Sequence, residues 1–395
     1  MKRRILIYIL CLALPFVLTG CWNRKELSTL SVVQAIGIDK LEDGQINLTL
    51  QLLKPAEIKG SSGMKGGGTG GGGKSVWVVT VTGQTVFDAI RSATHQVDRR
   101  SLFSQNKVIV IGEVAAKAGI APLLDLAIRD SELRELAYIF IAKGKAQDII
   151  EAENEQEKVP AKALENLAKA TRVTSKAPEI TLFDLMKSLV SRTSSPFLPG
   201  LELVDRPEGT TIKKQVELCG TAVFKRDKLV GWLDGKESRG LLWVLGKVKS
   251  GIIVVESPDA ETKKVALEII RASSKVTPEM TDGKLTVTVE VKEEGNLGEQ
   301  MSQVDLTKPV TFKALEEKQA AVINDEISAA LDKAQEWGID LFKFGVEYHR
   351  KFPAEYPELE KNWEEEFKNI AINIEVDAKL SRVGLSTTPV NAEEE

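Results

Sequence analysis

Residues 68–75 read GTGGGGKS and fit G-x-x-x-x-G-K-[ST], the loop that cradles nucleotide phosphates. That chemistry needs a buried strand leading in and a helix starting at the lysine. The helix N-terminus supplies the amides and dipole that hold the phosphate. Lys74-Ser75 runs instead into VWVVTVT, a β-branched, period-two segment with no helical stripe. A long glycine-dominated tract also separates Gly73 from the preceding strand pattern, which ends at Leu53. Repeated glycine satisfies the spacing trivially, so the expectation is a loop between two antiparallel strands rather than a nucleotide site. The other reactive residues are sparse. His95 lies in a helical pattern with only Asp98 near it, and His349 sits among charges in EYHRKF. Cys219 is flanked by Leu218 and Gly220 and reads as a buried free thiol. Glu364, Glu365 and Glu366 in WEEEF read as the solvated face of a helix. No G-x-S-x-G or H-E-x-x-H occurs. These residues predict no catalytic site, cofactor or metal, and therefore a protein that is not an enzyme.

The strongest chemistry lies at the start of the chain, MKRRILIYILCLALPFVLTGC. Lys2, Arg3 and Arg4 precede an apolar run from Ile5 to Leu18, too short to span a bilayer as a helix and interrupted by Pro15. This is the anatomy of a secretory signal peptide. Leu18-Thr19-Gly20-Cys21 has the form of a bacterial lipobox. Small residues let the backbone enter a peptidase site, and the Cys21 thiol accepts a diacylglyceryl group. Cleavage between Gly20 and Cys21 then leaves Cys21 as the acylated N-terminus. Each buried CH₂ contributes ~0.8 kcal/mol, and two chains suffice for stable anchoring where one is marginal. The plainer readings are an ordinary signal peptide with a chance cysteine, or a short membrane anchor.

The elements that must carry such a protein follow from pattern. The chain has 395 residues, 43% hydrophobic and 28% charged, with net charge −4, which suits several globular units and provides no basic field for nucleic acid. Strands are expected at 31–39, 46–53, 75–82, 107–111 and 137–142, with helices at 85–98, at 114–128 broken near Gly119 and Pro122, and from Gln147 up to Pro160. The Ser-, Pro- and Gly-rich stretch 191–216 reads as a linker. Beyond it come a strand, a turn at Arg226-Asp227, a second strand, a short helix near 239–245 and a strand after it. A hairpin of 265–276 with 284–291 follows, connected through Asp282-Gly283. One long helix runs from about Phe312 to Trp337, with Leu315, Ile323, Ile327, Leu331, Ala334 and Trp337 on one face and Gly338 as its stop. A short acidic helix at 363–367 and a final strand at 371–383 complete the pattern. Trp232, Trp243, Phe342, Phe344 and Trp363 are expected in the core.

Several stretches together resemble the C-subunit family of spore germinant receptors, the GerAC-type lipoproteins. They are LTGCWNRKELSTLSVVQAIGID, KVIVIGE, IRDSELRELAYIFIAKGKAQDII, CGTAVFKRDKLVGWLDGKESRGLLWVLGKVKSG and WGIDLFKFGVEYHRKFPAEYPELEKNWEEEFKNIAINIEVDAKLSRVG. They cover most of the chain in the family's order. The resemblance implies an acylated Cys21, an outer-face position on the spore inner membrane, and action with membrane-embedded A and B subunits in a nutrient receptor. It leaves open whether this subunit contacts the nutrient. It also implies an elongated, mixed, multi-domain fold and no catalytic residue. The chain departs from the pattern in DLFKFGVEYHR, where the family more often has a second glycine near Lys343.

The fold class expected is therefore α+β, with mixed sheets, hairpins and one long amphipathic helix in the C-terminal half. The organisation expected is a signal peptide over 1–20, an N-terminal α/β region over 21–190 containing a glycine-rich loop at 59–74, the linker at 191–216, a C-terminal α+β domain over 217–384 and a disordered tail over 385–395. The alternative function is an extracytoplasmic solute-binding lipoprotein of a transporter, which predicts two alternating βα lobes.

Overall fold

The computed structural model describes residues 29–54, 74–129, 132–209, 211–259, 262–281 and 284–382. Cys21, the signal peptide, most of the glycine-rich tract, Asp282-Gly283 and the tail lie outside them.

The first half builds a nine-stranded sheet. Strands β1 (Leu30–Lys40), β2 (Ile46–Leu53) and β3 (Val76–Gly83) form an antiparallel meander. Gly44, with φ of 86°, closes the β1–β2 turn, a backbone state that costs glycine little. A short strand β4 (Arg100–Leu102) pairs with the start of β1. β5 (Val108–Gly112), β6 (Tyr138–Ala142) and β7 (Phe197–Glu208) continue parallel to β1, and β8 (Thr211–Lys225) and β9 (Lys228–Leu233) close the sheet antiparallel. Helices α1 (Val86–Ser92), α2 (Glu113–Ala118) and α3 (Ala121–Arg129) cover one face. Helices α4 (Ala146–Glu151) and α5 (Pro160–Thr174) cover the other. The period-two rule explains the division. Ile109, Ile111, Ile139 and Ile141 face one cluster, while Val108, Val110, Phe140 and Ala142 face the other. Parallel strands buried on both faces read as continuous apolar runs, as KVIVI and AYIFIA do.

Helix α6 (Leu182–Leu189) precedes β7 and starts with a capping box between Thr181 and Asp184. In the second half, α7 (Gly235–Val244) leads to a sheet of order β10 (Gly251–Glu256), β11 (Lys264–Thr281), β12 (Lys284–Gln300) and β13 (Ala371–Arg382). The last pair is parallel, because the long helix α8 (Pro309–Trp337) and three short helices intervene. Those are α9 (Phe344–Lys351), α10 (Tyr356–Lys361) and α11 (Trp363–Asn369). Gly338 ends α8 in the left-handed region, as its position predicted.

Three expectations are corrected. The stretch 191–216 is no linker: β7 occupies 197–208 and β8 begins at Thr211. Pro199 is tolerated because a register shift lies between Pro199 and Leu201, so the missing N–H falls at a bulge. The helix expected up to Pro160 ends at Glu151, and Pro160 instead opens α5, where its fixed φ and missing N–H do no harm. The β11–β12 hairpin is also longer than 265–276 with 284–291. The α+β class stands. The two sheets, with their hairpins, are not the pair of alternating βα lobes that the solute-binding alternative requires.

Candidate functional site

Lys74 and Ser75 enter strand β3, not a helix, and Lys74 is an exposed partner of Glu153 at 2.8 Å. The N–H of Lys54 donates to Ser75 O at 2.9 Å, so the two ends of the glycine-rich tract are paired. Deleting Gly60 to Gly73 is therefore expected to leave folding intact. Shortening a closed loop by this much changes stability by only about 1 kcal/mol, in the stabilising direction. Urea unfolding of the deletion variant checks this, and a loss of several kcal/mol would contradict it.

His95 lies exposed in a 3-10 turn. His349 stacks on Tyr356, with ring centroids 4.5 Å apart. Cys219 is half-buried rather than buried, because it lies on β8 where the sheet meets solvent. Burial still pushes its thiol up to about 12, which keeps it a poor nucleophile. Trp243, Phe342, Phe344 and Trp363 lie in the core, and Trp232 is only partly covered. Glu364 and Glu365 are exposed, and Glu366 is half-buried. Among the described residues, no group of three or more His, Cys, Asp or Glu side chains is placed to hold a metal ion, and no helix is long and apolar enough to cross a membrane.

Two buried polar centres instead organise the second half. The first is Asp340, just after Gly338. Its Oδ1 accepts the N–H groups of Phe342 at 3.0 Å and Phe344 at 3.1 Å, and its Oδ2 accepts those of Gly345 at 2.8 Å and the Trp363 indole at 3.3 Å. Burial pushes the carboxyl up to about 6, against the pull of these donors, so it is ionised at neutral pH. Its carbonyl accepts Ser195 N–H at 2.9 Å, which ties the segment entering β7 to the loop between α8 and α9. A Cβ on Gly345 would lie 2.7 Å from Thr193 Cβ, so only glycine allows this approach. A cleft of about 880 Å³ opens beside the contact, lined by Ser191, Thr193, Arg226 and Trp363 among others.

The second centre joins α7, α8 and β10. Arg239 Nε donates to Glu326 Oε2 at 2.8 Å, and a second guanidinium nitrogen meets Oε1. The Trp243 indole donates to the same Oε2 at 2.9 Å, and Arg239 Nη1 reaches Ile252 O at 3.1 Å. Gly240 permits the helix contact, because a Cβ there would come within 1.9 Å of Glu326 O. Both centres are interaction hubs. They offer geometry for holding parts of the molecule in register.

Residues 23–203 match the family model described as the spore germination protein N-terminal domain, and 219–384 match the Spore germination B3/GerAC-like C-terminal model. The chain belongs to the GerAC-type family of spore germinant receptor C subunits. Over 405 aligned residues, it is 29% identical to Spore germination protein KC of Bacillus subtilis (strain 168), covering 99% of this chain and 98% of that one. It is 25% identical to Spore germination protein B3 of the same organism, covering 93% and 95%. The crystal structure of the GerBC protein shares the fold, with a TM-score of 0.55 over 87% of this chain and 96% of the other, at 21% identity. The chain's departure from the GerAC-type pattern at Lys343 now has a physical reading. Lys343 has φ of 64°, the left-handed region that glycine enters without cost. Lysine is held there because the N–H groups on either side of it are fixed on Asp340.

Proposed function

We propose that this protein is the lipid-anchored, non-catalytic C subunit of a nutrient germinant receptor, acting by docking onto membrane-embedded A and B subunits at the outer face of the spore inner membrane. The observation that carries the reading is the lipobox pattern ending at Cys21, followed directly by family-matched sequence over 23–203 and 219–384. The names of the relatives, among them Spore germination protein B3 and Spore germination protein A3, place them in spore germination. Cys21 is the only thiol at a signal-peptide boundary. Two acyl chains on it would hold the folded residues at the membrane without any spanning helix. Replacing Cys21 with alanine is expected to release the protein from the membrane fraction and to reduce nutrient-triggered germination severalfold or more. Unchanged fractionation together with unchanged germination would reject the anchor. Co-purification of A- and B-type subunits with the wild-type chain from spore membranes tests the docking.

A further inference from the structure

Strands β1, β5, β6 and β7 run parallel, so their N-terminal ends share one edge of the nine-stranded sheet. β1 begins at that edge, with Leu30 in register with Arg100. β6 is two strand spacings away, about 10 Å across the sheet, and Leu30 lies five residues before Ala35, the β1 residue level with Val108 and Tyr138, a further ~17 Å along the strand. At the start of β6, Ala137 O accepts Leu182 N–H at 2.9 Å and Glu135 O accepts Phe183 N–H at 3.0 Å. Helix α6 therefore starts against the same edge. It buries Leu182 and Leu185, and its outer side carries apolar residues beside the exposed Asp184 and Lys187. Phe183 is 41% exposed, Val190 just beyond the helix 82%, and Leu136 beside Phe183 62%. Phe183 and Val190 are two helical turns apart, on one side of α6. Exposed apolar residues scattered singly need no explanation, but the backbone bonds above bring the Leu136 and Phe183 segments together. Lys187 Nζ stands 4.2 Å from the Phe183 ring centroid, and Arg134 is exposed next to Leu136. Of the nearby carboxylates, Asp184 is engaged in the α6 capping box and Glu135 remains exposed.

The chain enters β1 only eight residues after Cys21, counting from Cys21 to Thr29. Eight residues reach at most ~28 Å in any conformation. A lipid on Cys21 therefore keeps this edge close to the bilayer surface. Apolar and aromatic side chains with a lysine and an arginine beside them suit the headgroup region of an anionic bilayer.

We propose that the sheet edge carrying Leu136, Phe183 and Val190 rests on the membrane, with Lys187 and Arg134 on lipid phosphates, so that the subunit is held in one orientation and does not merely hang from its anchor. The direction of the membrane in this proposal rests on the lipid-anchored reading above.

The test uses the mature chain from residue 21 with Cys21→Ser, floated with phosphatidylglycerol/phosphatidylcholine vesicles and with phosphatidylcholine vesicles alone. Binding is expected to the anionic vesicles and to weaken at high salt. Phe183→Ser with Val190→Ser should lower the partition coefficient at least tenfold, and Lys187→Glu with Arg134→Glu should remove most of the salt dependence. Val190→Glu alone, at the most exposed position, serves as a second variant should the double substitution disturb folding. Its partition should fall severalfold with an unchanged melting temperature. The absence of any vesicle binding, or wild-type partition of all folded variants, would overturn the proposal. Variants that block germination yet float like wild type would assign the patch to a protein partner and overturn it equally. The chain used lacks the Cys21 thiol, so the result is independent of acylation, which fractionation of Cys21→Ala reads by itself.

Discussion

Glu326→Ala is expected to destabilise the protein by about 3–5 kcal/mol, enough to unfold a marginal domain at physiological temperature. The side chains of Arg239 and Glu326 are only 6% and 5% exposed. Removing the carboxylate leaves the Trp243 indole N–H buried without an acceptor and the Arg239 guanidinium buried with only Ile252 O. The cost is therefore mostly that of the orphaned partners and not the worth of the pair. That distinction is measurable. The triple variant Arg239→Met, Glu326→Leu, Trp243→Phe removes the buried charge and the orphaned indole N–H and restores apolar packing, so it should recover most of the loss and lie within about 2 kcal/mol of wild type. Urea unfolding of the single variants, the triple variant and wild type decides it. A triple variant as unstable as Glu326→Ala would mean that the network is itself the source of stability.

The same helix shows how much could be read in advance. Apolar periodicity located α8, its face and its end, because Leu315, Ile323, Ile327, Leu331 and Ala334 recur at helical spacing and Gly338 stops it. Gln319 and Glu326 fall in that same stripe and are buried too. A count of apolar positions passes over them, because their burial depends on Arg239 and Glu293, which are distant in sequence and meet them only in the folded chain. Asp340 was hidden for the same reason. An aspartate after a helix-stopping glycine looks like loop polarity until Phe342, Phe344, Gly345 and Trp363 turn their N–H groups onto it. The strand β7 was obscured by local composition. Proline and glycine in SSPFLPGL signal a linker, and only the neighbours β6 and β8 show that a bulge absorbs them. Helices α5 and α6 lie where the sequence reading places no element. Their signals were present, in the apolar spacing of Ala161, Leu164, Ala168 and Thr171 and in the Thr181–Asp184 cap. The lipobox pattern at Leu18-Thr19-Gly20-Cys21 needs no fold to be legible, since its residues are contiguous in sequence. The docking edge is the opposite case, because it exists only once parallel pairing brings the starts of β1 and β6 together.

Glu293→Gln is expected to stabilise the protein, and increasingly so as pH rises from about 5 to 8. Glu293 lies on β12 between Ala272 of β11 and Ala378 of β13, is 3% exposed, and faces α8. Neither of its oxygens, nor either polar atom of the fully buried Gln319, has a well-formed hydrogen-bond partner among the described residues. The two groups crowd Gly295, where a Cβ would lie 2.9 Å from Glu293 Oε1 and 3.0 Å from Gln319 Nε2. Burial pushes the Glu293 carboxyl up to about 8, the amide of Gln319 opposes the shift, and the charge of Glu294 adds to it. In the unfolded chain the same group titrates near 4.5. Between those values the unfolded state has released a proton that the folded state retains. Stability therefore falls with rising pH, by up to ~1.4 kcal/mol per unit, and levels off above 8. Over the window the penalty is on the order of 4 kcal/mol. A glutamine of the same shape carries no charge at any pH, and its amide can pair with that of Gln319. The difference in unfolding free energy between variant and wild type should be small at pH 5, grow through pH 6.5 and reach its plateau above pH 8. Urea titrations at those pH values measure it. Parallel curves for the two proteins would mean that Glu293 ionises normally in the folded state, and hence that water reaches the space between β12 and α8.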